Sequence, residues 1–350
     1  MDKIGIGVIG AGRIGRVHTE TIAQRIAEAE VVSVVDIDIS AARELADKYM
    51  ITQVSDNYID VVANRDVDAV LICSPTETHA EYVIAAAKAG KHIFCEKPVA
   101  LDLNDIKRAL EAVEESGVKF MVGFNRRFDP NFKKIKEMVT GGKIGEPHIL
   151  KITSRDPAPP PPEYVAASGG MFLDMTIHDF DMARYIVGSE VDEISVFGGV
   201  RVDERIGQAG DVDTAVITLK FENGAFGVID NSRQAVYGYD QRVEIFGSNG
   251  MVKVDNNAPD NHDYYSRDGV HSSLPLNFFM DRYVEAYASE MKEFCRAIAE
   301  DRPVPVGGRD GLLSIAIGLA AKKSLAEKRP VKVSEVFDMN AVKKKAAPYA

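Results

Sequence analysis

Hydrophobic and polar positions follow two different rhythms along this chain. Up to residue 124, short apolar runs alternate with amphipathic segments; the runs are "KIGIGVIG", "EVVSVVD", "DAVLICS", "KHIFCE" and "KFMVGF". Strands that are apolar almost throughout belong in a parallel sheet covered on both faces. Between them, "HAEYVIAAAKAGK" and "LNDIKRALEAVEESG" have helical spacing, and a glycine stops each near its end. Repeated βα units of this kind predict a doubly wound α/β sheet.

After "GFNRRFDPNFKKIKEMVTGGKIGEP" the period drops to two. "HILKITSRD", "EISVFGGVRV", "TAVITLKFENGAFGVIDNSRQ" and "QRVEIFGSNGMVKVDN" alternate apolar with polar residues, and "ENG" and "SNG" supply turns. One face of such strands is buried and the other solvated or covered, which predicts antiparallel hairpins. Two helices are expected to follow, at about 280–300 and 309–328. The expected fold is thus an N-terminal doubly wound parallel sheet over 1–124 and a C-terminal α+β domain with a large open, mostly antiparallel sheet over 125–336. A tail over 337–350 ends in the loose, basic "NAVKKKAAPYA".

A length of 350 residues agrees with two domains. Acids number 53 against 42 lysines and arginines, a net charge of −11. No basic stripe offers itself to a phosphate backbone, so nucleic acid is excluded as a partner. No apolar run approaches the roughly 20 residues of a membrane span, and no signal-peptide pattern opens the chain. Cys73, Cys95 and Cys295 are scattered among apolar residues and read as reduced core thiols of a cytoplasmic protein.

Chemistry gathers at the ends of the predicted parallel strands. "GVIGAGRIG" places Gly10, Gly12 and Gly15 between the first strand and the first helix, with Arg13 and Ile14 inside the loop. The spacing allows a tight turn, close approach of a pyrophosphate and tight helix–strand packing. The second strand ends on Asp36, whose carboxylate suits ribose hydroxyls and repels a 2′-phosphate. The cofactor expected is therefore NAD rather than NADP. "CSPTETH" (73–79) follows the fourth strand, where ligands of open α/β sheets bind. It offers Ser74, Thr76 and His79 to the cofactor, with Thr76 equally suited to capping a helix. Glu96 and Lys97 close the fifth strand, directly before Pro98. There Glu96 can approach the nicotinamide ribose, and Lys97 can steady charge developing on a substrate oxygen.

The second half carries "GGMFLDMTIHDFDMARYIVG". On one helix Asp174 and His178 would lie about 40° apart around the axis and about 6 Å along it, facing one cleft. A histidine in a helix's first turn feels the positive end of the dipole, which favours a neutral imidazole able to accept a proton. Asp174 can orient that ring or simply cap the helix. A metal site from His178, Asp179 and Asp181 is disfavoured because adjacent helix positions point apart, and no metal is expected. Arg127, Asp156, Tyr237 and Tyr283 supply donors and acceptors for a polyhydroxylated ring, each with a plain packing or salt-bridge alternative.

Taken together, "GAGRIG", "CEKP", "GFNRRFD" and "GGMFLDMTIHDFD" resemble, in order and over nearly the whole chain, the Gfo/Idh/MocA oxidoreductases, and among them the inositol dehydrogenases. The resemblance implies a Rossmann domain and a catalytic set of Lys97, Asp174 and His178. It also implies a cis Lys97–Pro98 bond and an open C-terminal sheet that pairs subunits, usually into a homotetramer. "SRDPAPPPPEYV" is similar to a loop of that group and turns the expected substrate toward a cyclic polyol, myo-inositol oxidised to its 2-keto form. Scyllo-inositol or a pyranose stays open as substrate. An NAD-dependent glycosidase and a non-catalytic NAD sensor stay open as readings of another class.

Overall fold

The computed structural model describes residues 3–338. They divide into two compact units: the chain up to Phe128 with Glu285–Leu313, and Asp129–Val284 with the chain from Ser314. A single linear boundary near 124 therefore becomes an interleaved one. The reason is visible in the first unit's core, where Phe294 of the helix Val284–Ala299 packs edge-on to Phe94 at 5.6 Å. Of the expected tail, Phe337 is buried; everything beyond Asp338 lies outside the described residues.

In the first unit, β1 (Ile4–Ile9), β2 (Ala29–Val35), β3 (Gln53–Ser55), β4 (Ala69–Ile72), β5 (His92–Glu96) and β6 (Phe120–Gly123) form one sheet. All its pairs are parallel, in the order β3-β2-β1-β4-β5-β6. Ile6, Val8, Val70, Leu71, Ile93 and Phe94 are fully buried. Each contributes about 1.5–3 kcal/mol by leaving water. The three-residue β3, "QVS", has no apolar run to announce it. Helix boundaries follow local chemistry. Asp102 caps Leu103–Ser116 by accepting from the amides of Asn104 and Asp105, and Gly117 ends that helix in the left-handed region at φ 69°. Chain order reverses between β1 and β4, so the loops after these strands flank the switch point where open α/β sheets hold ligands.

The second unit is built on β7 (Pro147–Arg155), β8 (Val191–Gly199), β9 (Thr214–Phe221), β10 (Phe226–Ser232), β11 (Asp240–Gly247), β12 (Gly250–Val254) and β15 (Val331–Lys332). Their order is β12-β11-β7-β10-β9-β8-β15; β7 and β10 run parallel and the other neighbours antiparallel. A separate hairpin joins β13 (Asp263–Ser266) to β14 (Gly269–Ser272). Period two is obeyed: on β9, Ala215, Ile217, Leu219 and Phe221 are buried, whereas Val216 is exposed on the opposite face. That opposite face is not uniformly polar. Met251, Phe246, Ile149 and Phe226 are exposed and lie in register across β12, β11, β7 and β10.

Candidate active site

In the first unit the site is mostly backbone. Gly10 sits at φ 106°, and a Cβ there would come within 2.6 Å of the Cys73 carbonyl. A Cβ on Gly15 would stand 1.9 Å from the Gly10 oxygen. These two glycines let the loop turn and the helix Arg13–Arg25 press against the strand ends. Gly12 differs, since a Cβ there would meet nothing within 4 Å; its backbone faces open space, as approach by a pyrophosphate requires. Arg13 is exposed beside it and Ile14 half-buried. Asp36 closes the arrangement from the end of β2. Its Oδ2 accepts from the Ala11 amide at 2.7 Å and its Oδ1 from the Asp38 amide at 2.9 Å. A carboxylate has about four acceptor sites, so capacity for ribose hydroxyls is left over. These residues fit a dinucleotide.

The segment after β4 is more structural than its sequence suggests. Pro75 occupies the cap position of the helix Thr76–Lys88, so Thr76 is the first helical residue and not its cap. The Ser74 hydroxyl pairs with Thr78 at 2.7 Å. His79 is buried; its Nδ1 lies 2.8 Å from the Pro98 oxygen and its Nε2 2.8 Å from the Ser74 oxygen. Burial pushes this imidazole down, toward the neutral form. Its placement suits a pin between two strand-end loops rather than a cofactor contact. One of those loops carries Lys97, half-buried on a cis peptide bond to Pro98. Glu96 turns inward, 8% exposed, with its Oε1 2.6 Å from His18 Nε2. Arg127 donates to Asp310 at 2.8 Å in a buried ion pair, the salt-bridge arrangement its sequence position also allowed.

In the second unit the site is made of side chains. Asp174 and His178 do not share one regular helix. Asp174 lies in a π-helical turn, Met171–Met175, and His178 in the first turn of the helix Ile177–Val187. Asp174 is therefore not a helix cap; Thr176 stands at that position. Asp174 instead accepts from the Tyr164 hydroxyl at 2.9 Å and from both terminal nitrogens of Arg233 at 3.4 Å. Arg233, 3% exposed, also donates to Asp156 at 3.4 Å, so one guanidinium ties two expected site acids together. Asn231 fixes the start of the His178 helix: it accepts from Thr176 at 2.7 Å and donates to Asp179 at 2.9 Å, all three buried. Asp174 and His178 stay half-buried among fully buried neighbours.

Tyr237 donates to Asp240 at 2.5 Å and accepts from Arg155 at 3.1 Å; burial, with the Asp240 bond, pushes its phenol up. Tyr283 is 2% exposed, its ring edge-on to Tyr239 and beneath the Arg282 guanidinium, which is packing within the unit's core. Arg233, Tyr164 and Asn231 escaped the sequence reading because nothing in periodicity or spacing singles out a residue just past a strand, on a short helix or near a strand end that acts through an acid elsewhere.

A parallel sheet with a glycine loop at its switch point and an acid ending β2 defines a nicotinamide-dinucleotide-dependent oxidoreductase. The comparisons agree and are more specific. The family model "Oxidoreductase family, NAD-binding Rossmann fold" matches residues 4–124, and "GFO/IDH/MocA C-terminal domain" matches 132–253. The chain belongs to the GFO/IDH/MocA oxidoreductase family, and its cofactor is NAD. It is 52% identical over 332 residues to a myo-inositol 2-dehydrogenase of Thermotoga maritima, covering 95% of this chain and 99% of the relative. It is 43% identical to an inositol 2-dehydrogenase of Rhizobium meliloti, covering 94% and 98%. A crystal structure of scyllo-inositol dehydrogenase from Lactobacillus casei, with bound NAD(H) and scyllo-inositol, superposes with a TM-score of 0.89. Identity there is 29%, covering 95% of this chain and 100% of that one.

Proposed function

We propose that this protein oxidises myo-inositol to 2-keto-myo-inositol (scyllo-inosose), with Lys97, Asp174 and His178 as its catalytic set. The observation that carries the roles is the treatment of Asp174. A half-buried carboxylate held by Tyr164 and Arg233 is fixed in direction, one helical turn before a half-buried histidine. Similarity to inositol dehydrogenases over nearly the full chain supports the substrate. Bound NAD supplies the hydride acceptor. His178 takes the hydroxyl proton, its first-turn position favouring the neutral, accepting imidazole. Lys97 donates a hydrogen bond to the same oxygen and steadies its negative charge as the C–H bond breaks. Asp174 orients the reacting hydroxyl and the imidazole. The carbon loses hydrogen with its electron pair, the oxygen loses its proton, and a ketone remains. Asp156 and Tyr237 are the residues proposed for the remaining ring hydroxyls.

The test is NADH absorbance after adding NAD with myo-inositol, scyllo-inositol or glucose separately. A sustained rise, fastest with myo-inositol, supports the reading. Preference for scyllo-inositol, the substrate named for the Lactobacillus casei relative, moves the assignment to that isomer. Silence with all three, when titration shows NAD bound, overturns it.

We further propose a homotetramer in the cytoplasm. The exposed row Met251–Phe246–Ile149–Phe226, continued by Val228, Val216 and Phe197, supports a subunit interface on the second unit's sheet. All three cysteines are buried and free, as suits a reducing compartment. No helix among the described residues is long and apolar enough to cross a membrane.

A further inference from the structure

One buried cluster of the first unit is unused by the chemistry above. His18 from the helix Arg13–Arg25, Glu96 at the end of β5 and Glu290 from the helix Val284–Ala299 bring one ligand atom each within 4.8 Å of one another. His18 and Glu290 are fully buried. His18 Nε2 and Glu96 Oε1 are paired at 2.6 Å, whereas neither oxygen of Glu290, nor His18 Nδ1, has a hydrogen-bond partner in the protein. Around them are the rings of Phe94, 5.3 Å from His18, and Tyr287, 5.4 Å from it. The other titratable groups here are the Cys73 thiol just beyond β4, the Cys95 thiol of β5, the His79 imidazole of the helix Thr76–Lys88, which feels the charge of Glu96, and Tyr287 on Glu290's own helix. None of these groups is a lysine or an arginine.

Two carboxylates this close and out of water, with one imidazole paired to only one of them, cannot both be ionised without a heavy penalty, so a proton stays on one of them. Glu96 is the partner already paired with His18, which leaves Glu290. We propose that Glu290 is held as a neutral carboxylic acid, and that it packs with the His18–Glu96 pair in a buried cluster positioning the strand end that carries Lys97. The environment agrees: burial, then the charge of Glu96, push Glu290 well above an ordinary glutamate. Glu96 is confined from the far side as well, since a Cβ on Gly123 of β6 would stand 3.0 Å from its carboxyl carbon. His18 and Glu290 are thus positioning residues. They act through Glu96 on its neighbour Lys97, whose role rests on the function proposed above; the protonation state does not.

The test compares wild type with Glu290→Gln, which mimics the neutral acid. A carboxyl whose value is raised by folding contributes fully below its free value, and that contribution fades as pH rises toward the folded value. Chemical denaturation should therefore show Glu290→Gln gaining on wild type from about pH 5 upward, by up to about tenfold in the folding constant per pH unit. Infrared difference spectra at neutral pH should show a protonated-carboxyl band in wild type that is missing in Glu290→Gln. A pH-independent gap, or no such band, overturns the neutral acid. So does one equivalent of bound metal in purified wild type that Glu290→Gln loses, because a cation would then hold the two carboxylates. For positioning, Glu290→Ala should lower turnover several-fold and Glu290→Gln restore it; equal turnover in both variants overturns that half. The stability and infrared results stand even if no polyol is turned over, so failure of the substrate assignment is distinguishable.

Discussion

Gly10, Gly12 and Gly15 serve the first unit as backbone, whereas Asp174 and His178 in the second depend on side chains brought from other elements. In the cofactor unit, one glycine turns the chain, one leaves space and one admits a helix; all three are backbone roles, and the partners they press against are the Cys73 carbonyl and the Gly10 oxygen. In the second unit, Asp174 takes its direction from Tyr164, ten residues away, and from Arg233, 59 residues away. Asn231 reaches Asp179 over 52 positions. Local geometry suits a cofactor that many proteins share; a long-range side-chain network suits recognition of one substrate, because each strand end can be altered separately.

Lys97 tests the contrast most severely, being the side chain proposed to act from the unit otherwise built from backbone. Lys97→Ala should lower turnover about 10²–10³-fold while leaving NAD affinity within a few-fold. A matching loss of NAD affinity would make Lys97 part of the cofactor cradle instead. Next come two glycines that should respond in opposite ways. Gly15→Ala drives a Cβ into a carbonyl and should cost about 3 kcal/mol of stability by chemical denaturation. Gly12→Ala should fold normally and weaken NAD, since its Cβ meets only the space the cofactor needs. Equal stability losses in both would mean that Gly12 is a packing glycine too.

Arg233→Ala should have a smaller effect on stability, about 2 kcal/mol, because its carboxylate partners retain partial access to water. It should also lower kcat more than a stability loss explains, by releasing Asp174. Smallest is Asp240→Asn. Burial alone would raise the Asp240 carboxyl, but hydrogen bonds from Arg242, Tyr237 and Asn256 outweigh it and hold the group below the usual carboxylate value. Its contribution is present above the free-aspartate value and is lost as pH falls through the depressed one. Asp240→Asn should therefore lower stability by a constant amount across the neutral-to-alkaline range and flatten the acid limb, so that it and wild type converge as pH falls.

The same contrast explains what could be read before the structure. Both sheets were legible because period and continuity of apolar residues report which faces a strand buries; β3 was not, being three residues long with none fully buried. The tight turn at Gly10–Gly15 was legible because it is written in neighbouring positions, and the place of Asp36 because it directly follows an apolar run. The surroundings of Arg127 and Tyr283 were not legible, because residue type alone does not announce a buried pair with Asp310 or a ring packed edge-on to Tyr239. The placing of Asp174 and His178 on one regular helix missed the π-helical turn, since a side-chain pattern spaced by four is equally compatible with a change of winding at Thr176. Residues 285–313 joined the first unit through contacts such as Phe94 with Phe294, and no composition shift marks that return.

Oxidation by this protein requires hydride to leave one ring carbon of myo-inositol for NAD. Incubating the protein with NAD and myo-inositol deuterated at C2, then weighing the reduced cofactor by mass spectrometry, asks this directly. Deuterium recovered stoichiometrically in NADH, with a 2-keto product lacking it, is the predicted result. Reduced cofactor carrying only protium, or a product with deuterium still at C2, would contradict it.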